Sequence, residues 1–177
     1  MANGWILVCK SCAKKYRFRL GCGFLFPKVY EETIEKAKKG ELGKQIQSFL
    51  ENNPDGVIDC DKVLLRCDHC GLLFTDLDLA MYNPSQQYKP EPKPFWSIAC
   101  RFEGAEYVTK RELEDHYDLV ERYEHICQKC HAVMDVITMA EMEKKVRRAF
   151  QNEDQMSGIP CPECKKPLQL TGFMNWN

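Results

Sequence analysis

Four Cys-x-x-Cys pairs, Cys9/Cys12, Cys67/Cys70, Cys127/Cys130 and Cys161/Cys164, constrain this chain more than any other feature, and they account for eight of its 11 cysteines. A two-residue gap lets both sulfurs of one tight turn face a single ion, while amides of the same turn donate to the thiolates. One pair fills half of a tetrahedral shell, so the pairs must converge in twos. A disulfide framework is the competing use of so many cysteines. It fits poorly with one gap repeated four times and with an odd total that leaves a thiol over. The eight cysteines are therefore expected to be reduced metal ligands holding two zinc ions per chain.

How the pairs combine depends on the order of elements. Residues 5–8 run into Cys9/Cys12. A strand-like alternation from Tyr16 to Leu20 follows, then a helical stretch, the turn Asn53-Pro54-Asp55-Gly56, and a strand entering Cys67/Cys70. The second half repeats the order. Residues 121–126 enter Cys127/Cys130, Ala132 to Thr138 reads as a strand, a helix follows, and Cys161/Cys164 leads into a strand near Leu168 to Phe173. This duplication pairs Cys9/Cys12 with Cys67/Cys70 and Cys127/Cys130 with Cys161/Cys164. Spacing alone leaves open a crossed arrangement such as Cys67/Cys70 with Cys127/Cys130.

Helices are expected where apolar residues recur at helical spacing. The first contains Ile34, Ala37, Leu42, Ile46, Phe49 and Leu50, with Gly40 and Gly43 able to split it. Another contains Met139, Met142, Val146, Ala149 and Phe150 behind a Thr138/Glu141 capping box. A Thr109/Glu112 box starts a helix expected to run from about 110 to 122. Between the halves lies a segment with four prolines, Pro84, Pro90, Pro92 and Pro94, which cannot donate regular backbone hydrogen bonds. After it, Phe95 to Cys100 and Ala105 to Val108 read as a short hairpin.

At Cys161-Pro162-Glu163-Cys164 and Cys67-Asp68-His69-Cys70-Gly71 the chain resembles the zinc-ribbon proteins, in which two knuckles at the tips of β-hairpins clamp one zinc. The resemblance covers the knuckles and their flanking strands, and implies Cys9, Cys12, Cys127 and Cys130 as partner ligands. The expected fold is α+β: two zinc-ribbon-like antiparallel β modules, each with a helical insertion. The N-terminal module takes residues 1–82, a proline-rich linker 83–95, and the C-terminal module 96–177. The same knuckles are similar to those of rubredoxin, so an iron electron carrier is the rival reading; ligand softness does not separate the two metals.

The remaining candidates have bland readings beside them. Cys22, Cys60 and Cys100 are widely separated and read as small buried apolar residues. His69, His125 and His131 lie near knuckles and are expected outside the ligand shells. Lys15, Arg17 and Arg19 share one face of a strand whose other face carries Tyr16 and Phe18. They are possible nucleic-acid contacts, or else the wet side of an edge strand with its rings in the core. Lys144, Lys145, Arg147 and Arg148 read as a solvated helix face. Phe95/Trp96 and Phe173/Trp176 read as core aromatics, with partner anchors as the alternative.

Formal net charge is −1, and two fully ionised four-cysteine sites would make the chain more acidic still, yet residues 1–50 carry ten Lys/Arg against four Asp/Glu. An anionic partner should meet that segment. No apolar run approaches the length that crosses a bilayer, and Met-Ala-Asn-Gly-Trp-Ile-Leu-Val-Cys does not read as a secretory signal. The expectation is a cytoplasmic, membrane-free binding or adaptor protein with a protein partner, a nucleic-acid binder as the alternative, and no recognisable catalytic constellation.

Overall fold

A computed structural model describes residues 3–23, 26–85, 88, 107–151 and 156–175. The class is α+β, with three antiparallel sheets and four helices among those residues. They group into two compact units, each built from discontinuous stretches: residues 1–21, 62–76 and 124–177 in the first, residues 22–61 and 77–123 in the second.

The first unit contains strands β1 (Asn3–Val8), β2 (Lys15–Leu20), β4 (Lys62–Arg66), most of β5 (Leu73–Leu77), β8 (Asp135–Ile137), β9 (Met156–Pro160) and β10 (Pro167–Asn175), with helix α4 (Met139–Gln151). One sheet has the order β2-β1-β10-β9 and a second the order β5-β4-β8. Strand β1 alternates as the period of two demands, with Trp5 and Leu7 buried and Ile6 and Val8 half-exposed. Opposite it, β2 buries Phe18 and Leu20 and leaves Lys15, Arg17 and Arg19 in water. Helix α4 starts at the expected capping box, with the Thr138 amide donating to Glu141 Oε2 (2.9 Å) and the Glu141 amide to Thr138 Oγ1 (3.3 Å). Its Met142, Val146 and Ala149 are buried. Met142 and Val146 join Trp5, Leu7, Phe18, Leu20, Leu64, Ile159, Leu168 and Leu170 in one core, while Lys144, Arg147 and Arg148 face solvent. A smaller core of Val63, Leu65, Cys67, Cys127 and Met134 lies beside the second sheet.

The second unit contains α1 (Phe26–Lys38), α2 (Lys44–Asn52), β3 (Val57–Ile58), β6 (Met81–Pro84), α3 (Lys110–His116) and β7 (Tyr117–Glu121), with sheet order β3-β6-β7. The first expected helix is two helices. Gly40 (φ 75°) and Gly43 (φ 99°) adopt the left-handed region and turn the chain between them. The third is shorter than expected. Its capping box is present, but it stops at His116, because Tyr117, Leu119 and Val120 continue as a strand on β6.

That pairing also revises the expected domain boundary. Asn83 and Pro84 lie within β6, opposite Asp118 and Tyr117, and Tyr88 stacks on His116 with ring centroids 4.2 Å apart. The described residues on both sides of the proline-rich stretch thus belong to one unit, and the two units do not divide as residues 1–82 and 96–177. The hairpin expected at 95–108, with Phe95, Trp96 and Cys100, lies outside the described residues apart from its last two positions, and Trp176 lies outside as well. Phe173, expected in the core, is 55% exposed and stacks on Phe150, itself 54% exposed, at 5.5 Å.

Candidate metal centres

Strand pairing decides which cysteines meet. The first knuckle joins β1 to β2 and the fourth joins β9 to β10, so the antiparallel pairing of β1 with β10, Asn3 opposite Asn175 through Val8 opposite Gln169, sets those two turns side by side. The second knuckle joins β4 to β5, and the third precedes β8. Pairing of β4 with β8, Leu64 opposite Ile137 and Arg66 opposite Asp135, brings these two together.

Two clusters result: Cys9, Cys12, Cys161 and Cys164; and Cys67, Cys70, Cys127 and Cys130. Within each, all four sulfurs lie within 4.8 Å of one another. The pairing drawn from the apparent duplication, Cys9/Cys12 with Cys67/Cys70 and Cys127/Cys130 with Cys161/Cys164, is therefore incorrect. The arrangement is nested, outer pair with outer and inner with inner, and both clusters belong to the first unit, not one to each half.

The sulfurs are 3.3 Å (Cys9–Cys164) and 3.6 Å (Cys12–Cys161) apart in the outer cluster, 3.4 Å (Cys67–Cys130) and 3.6 Å (Cys70–Cys127) in the inner one. All eight thiols are free. A tetrahedron with metal–sulfur bonds of about 2.3 Å has edges of about 3.8 Å, so each cluster is close to the size of a tetrathiolate shell.

All four knuckles share one backbone construction. The amide of the first cysteine donates to the carbonyl five residues on, Cys9 to Lys14 (2.9 Å), Cys67 to Leu72 (2.9 Å), Cys127 to Ala132 (2.8 Å) and Cys161 to Lys166 (2.8 Å). Its own carbonyl accepts from the residue after the second cysteine, Ala13 (2.8 Å), Gly71 (2.7 Å), His131 (2.9 Å) or Lys165 (2.9 Å). To close that turn the residue takes a left-handed conformation in every case, with φ of 58°, 77°, 59° and 62°. Glycine meets this demand without cost only at Gly71.

The turns aim amides at the thiolates. Burial works against ionising Cys127 and Cys161, but amides of Lys129 and Cys130 hold the first at about 6, and the Tyr16 hydroxyl with amides of Cys164 and Glu163 holds the second at about 6. Cys9 and Cys67 are lowered as well. Their neighbours go the other way. The Lys14 amide favours the Cys12 thiolate, but burial and the thiolates around it push Cys12 to about 12. Cys130, with the Ala132 amide and the same opposition, also reaches about 12. Four sulfurs this close cannot all ionise unaided; a dication at the centre removes the conflict and displaces the remaining protons.

Two further residues serve these clusters, and no local pattern marks either of them for that role. Tyr16 Oη lies 3.4 Å from Cys161 Sγ and donates to it, so this ring is neither plain core nor a surface for stacking. Lys165, next to Cys164 of the outer cluster, donates through Nζ to the carbonyl of Cys70 in the inner one (2.9 Å), which ties the two centres together. Gly71 leaves that ammonium its space.

The three histidines at or beside knuckles fall outside both clusters, His69 and His131 exposed and His125 buried. Cys22 and Cys60 pack in the core of the second unit, where burial and then Asp59 push the Cys60 thiol up. Arg17 and Arg19 are exposed on β2, an outer strand of its sheet, and Phe18 is buried behind them, which is the edge-strand arrangement. Among the described residues, no helix is long and apolar enough to cross a membrane. No family model, no curated protein and no solved structure matches this chain.

Proposed function

We propose that this chain is a zinc-binding protein of zinc-ribbon type whose two four-cysteine sites are structural, and that it works as a binding or adaptor module, not as a catalyst. The observation that carries this reading is the composition of the two clusters: four sulfurs each, every knuckle supplying amides to its thiolates. Four protein ligands complete a tetrahedral shell and leave no position for a substrate or an activated water, which is how structural zinc differs from catalytic zinc. Cys9, Cys12, Cys161 and Cys164 hold one ion, and Cys67, Cys70, Cys127 and Cys130 the other. The metals contribute folding free energy directly, on the order of 10 kcal/mol per site for small tetrathiolate domains.

Elemental analysis of protein purified without added metal tests this, with two zinc per chain expected. Cys9→Ser and Cys161→Ser should each lose one zinc, and the two together still one, whereas Cys9→Ser with Cys67→Ser should lose both. A chain that stays folded in a strong chelator, or that carries iron with visible absorption, defeats the reading.

A further inference from the structure

The outer face of the sheet β2-β1-β10-β9 carries charge of one sign. None of the four strands contains an aspartate or glutamate, although the chain as a whole has one more acidic than basic residue. Lys15, Arg17 and Arg19 project from β2 on the face opposite buried Phe18 and Leu20. Register continues each of them into a row across the sheet: Lys15, Val8 and Gln169; Arg17, Ile6 and Gly172; Arg19, Gly4 and Met174. Ile6, Val8, Gln169, Gly172 and Met174 are all partly exposed. Met174 lies against Gly4 and Ile6 against Gly172, so side chains from neighbouring strands fill both glycine positions and the surface beside the cations is a low, mostly apolar shelf. Helix α4 lies on the other face, through Met142 and Val146.

The three cations are not there to offset the thiolates. Lys15 adjoins the first knuckle, but Arg19 lies four residues further along the strand, about 13 Å away, which exceeds the screening length of about 8 Å at physiological salt. Among the described residues no carboxylate is within ion-pair distance of any of the three. Alternate residues on one strand form a straight line of charge with a repeat of about 6.8 Å. The matching partner is a polymer with anions at regular intervals along one edge and flat, weakly polar groups beside them.

We infer that this face binds single-stranded nucleic acid, with phosphates along Lys15, Arg17 and Arg19 and bases laid on the shelf of Ile6, Val8 and Met174. The assignment names the partner of the binding module proposed above and rests on that reading. Since Tyr16 is committed to Cys161 and Phe18 is buried, no ring of this strand stacks on the bases, and with phosphate contacts carrying the affinity recognition is tolerant of sequence.

The metal-loaded full chain, its zinc content measured on the same preparation, is titrated into fluorescein-labelled oligo-dT and oligo-rU by anisotropy over a range of salt concentrations. Three phosphate contacts give a slope of log Kobs against log salt of about −2. Arg17→Gln with Arg19→Gln should weaken binding at low salt by about tenfold or more and flatten that slope. Arg17→Lys with Arg19→Lys should retain affinity to within about threefold, since the charges remain. Duplex of equal length should bind more weakly, its bases being closed to the shelf. A chain with two zinc ions that does not bind, or a glutamine variant with unchanged affinity, overturns the assignment and leaves the metal reading standing. Competition by polyglutamate as effective as by oligo-dT also overturns it, in favour of an acidic protein segment. A metal-free folded chain that binds through Arg17 and Arg19 would uphold the surface and remove the structural role of zinc.

Discussion

Replacing Ala13 and His131 by glycine should stabilise the protein, although neither change adds a contact. Both residues follow the second cysteine of a knuckle, and both sit at φ near 60°, at 58° and 59°. For a residue with a Cβ the left-handed conformation costs about 1–2 kcal/mol. Glycine removes that cost but gains freedom in the unfolded chain worth about 0.5–1 kcal/mol. The net gain is then about 0.5–1 kcal/mol per site. Because both side chains are exposed, little packing is lost on truncation. One residue belongs to each metal cluster, so the gains should add to about 1–2 kcal/mol in the double variant. Denaturant unfolding in saturating zinc measures the difference, and for a chain of this size a thermal midpoint should rise by roughly 2–4 °C per kcal/mol. Gly71→Ala is the opposite control. It takes on the left-handed cost and drives Lys165 Nζ off the Cys70 carbonyl, for a loss of about 2–3 kcal/mol. Glycine variants no more stable than the parent, together with a neutral Gly71→Ala, would refute the claim that all four turns are one strained construction.

Three other perturbations test separate parts of the structure. Tyr16→Phe removes the hydroxyl that donates to Cys161 Sγ and should weaken zinc binding about tenfold at the outer cluster only, read by competition with a chromophoric chelator; equal release from both sites would argue against that role. Asp61 is 7% exposed, and burial, then Asp59, raises its carboxyl from 3.8 to about 6, so the folded state holds this proton more tightly than the unfolded one. Its contribution favours folding below about pH 4 and is lost as pH rises through about 6, so Asp61→Asn should add about 1–3 kcal/mol at pH 8 and progressively less toward pH 5, measured by urea unfolding against the parent at each pH. Thr109→Ala removes the reciprocal cap between the Thr109 and Glu112 side chains and backbones and should cost about 1 kcal/mol, visible as faster amide exchange in α3.

Much of this architecture is legible from local signals. The knuckles, the alternation of β1 and β2, the α4 stripe with its Thr138/Glu141 cap and the outward line of Lys15, Arg17 and Arg19 all follow from residue type and period. Pairing of the knuckles is not local. Joining Cys9 to Cys161 instead of to Cys67 lengthens the closed loop by a little over one doubling, which costs only about 1 kcal/mol, so distance along the chain barely discriminates between partners. The decision falls to the register of β1 on β10, carried by Trp5, Leu7, Leu168 and Leu170 packing on one core. The apparent duplication misleads because a helix-bearing stretch followed by a further knuckle comes after both the first and the third knuckle, and only strand pairing reveals that their products differ. The shared left-handed turn is hidden for a related reason. Glycine marks it at Gly71, whereas Ala13, His131 and Lys165 meet the same demand under constraint.

Nesting changes what metals bound at the two clusters would have to do. A tetrathiolate in the outer cluster closes a loop of about 150 residues, and by the chain-entropy argument used for cross-links that removes about 5 kcal/mol of disorder from the unfolded state. That is comparable with the whole net stability of an ordinary domain. Strand β1 and strand β10 come from opposite ends of the described chain, and each exposes backbone groups that only the other satisfies between β2 and β9. Their pairing and the assembly of Cys9, Cys12, Cys161 and Cys164 are therefore one event: the register delivers the sulfurs, and an ion among them would hold the register. The inner cluster spans a shorter loop beside a core of five buried residues, Val63, Leu65, Cys67, Cys127 and Met134, two of which are cysteines of the cluster itself. Leu64 and Ile137, opposite each other where Lys62–Arg66 pairs with Asp135–Ile137, belong to the larger core, so one face of that pairing has apolar support of its own. An ion among Cys67, Cys70, Cys127 and Cys130 would fasten the other face, where the buried residues are few.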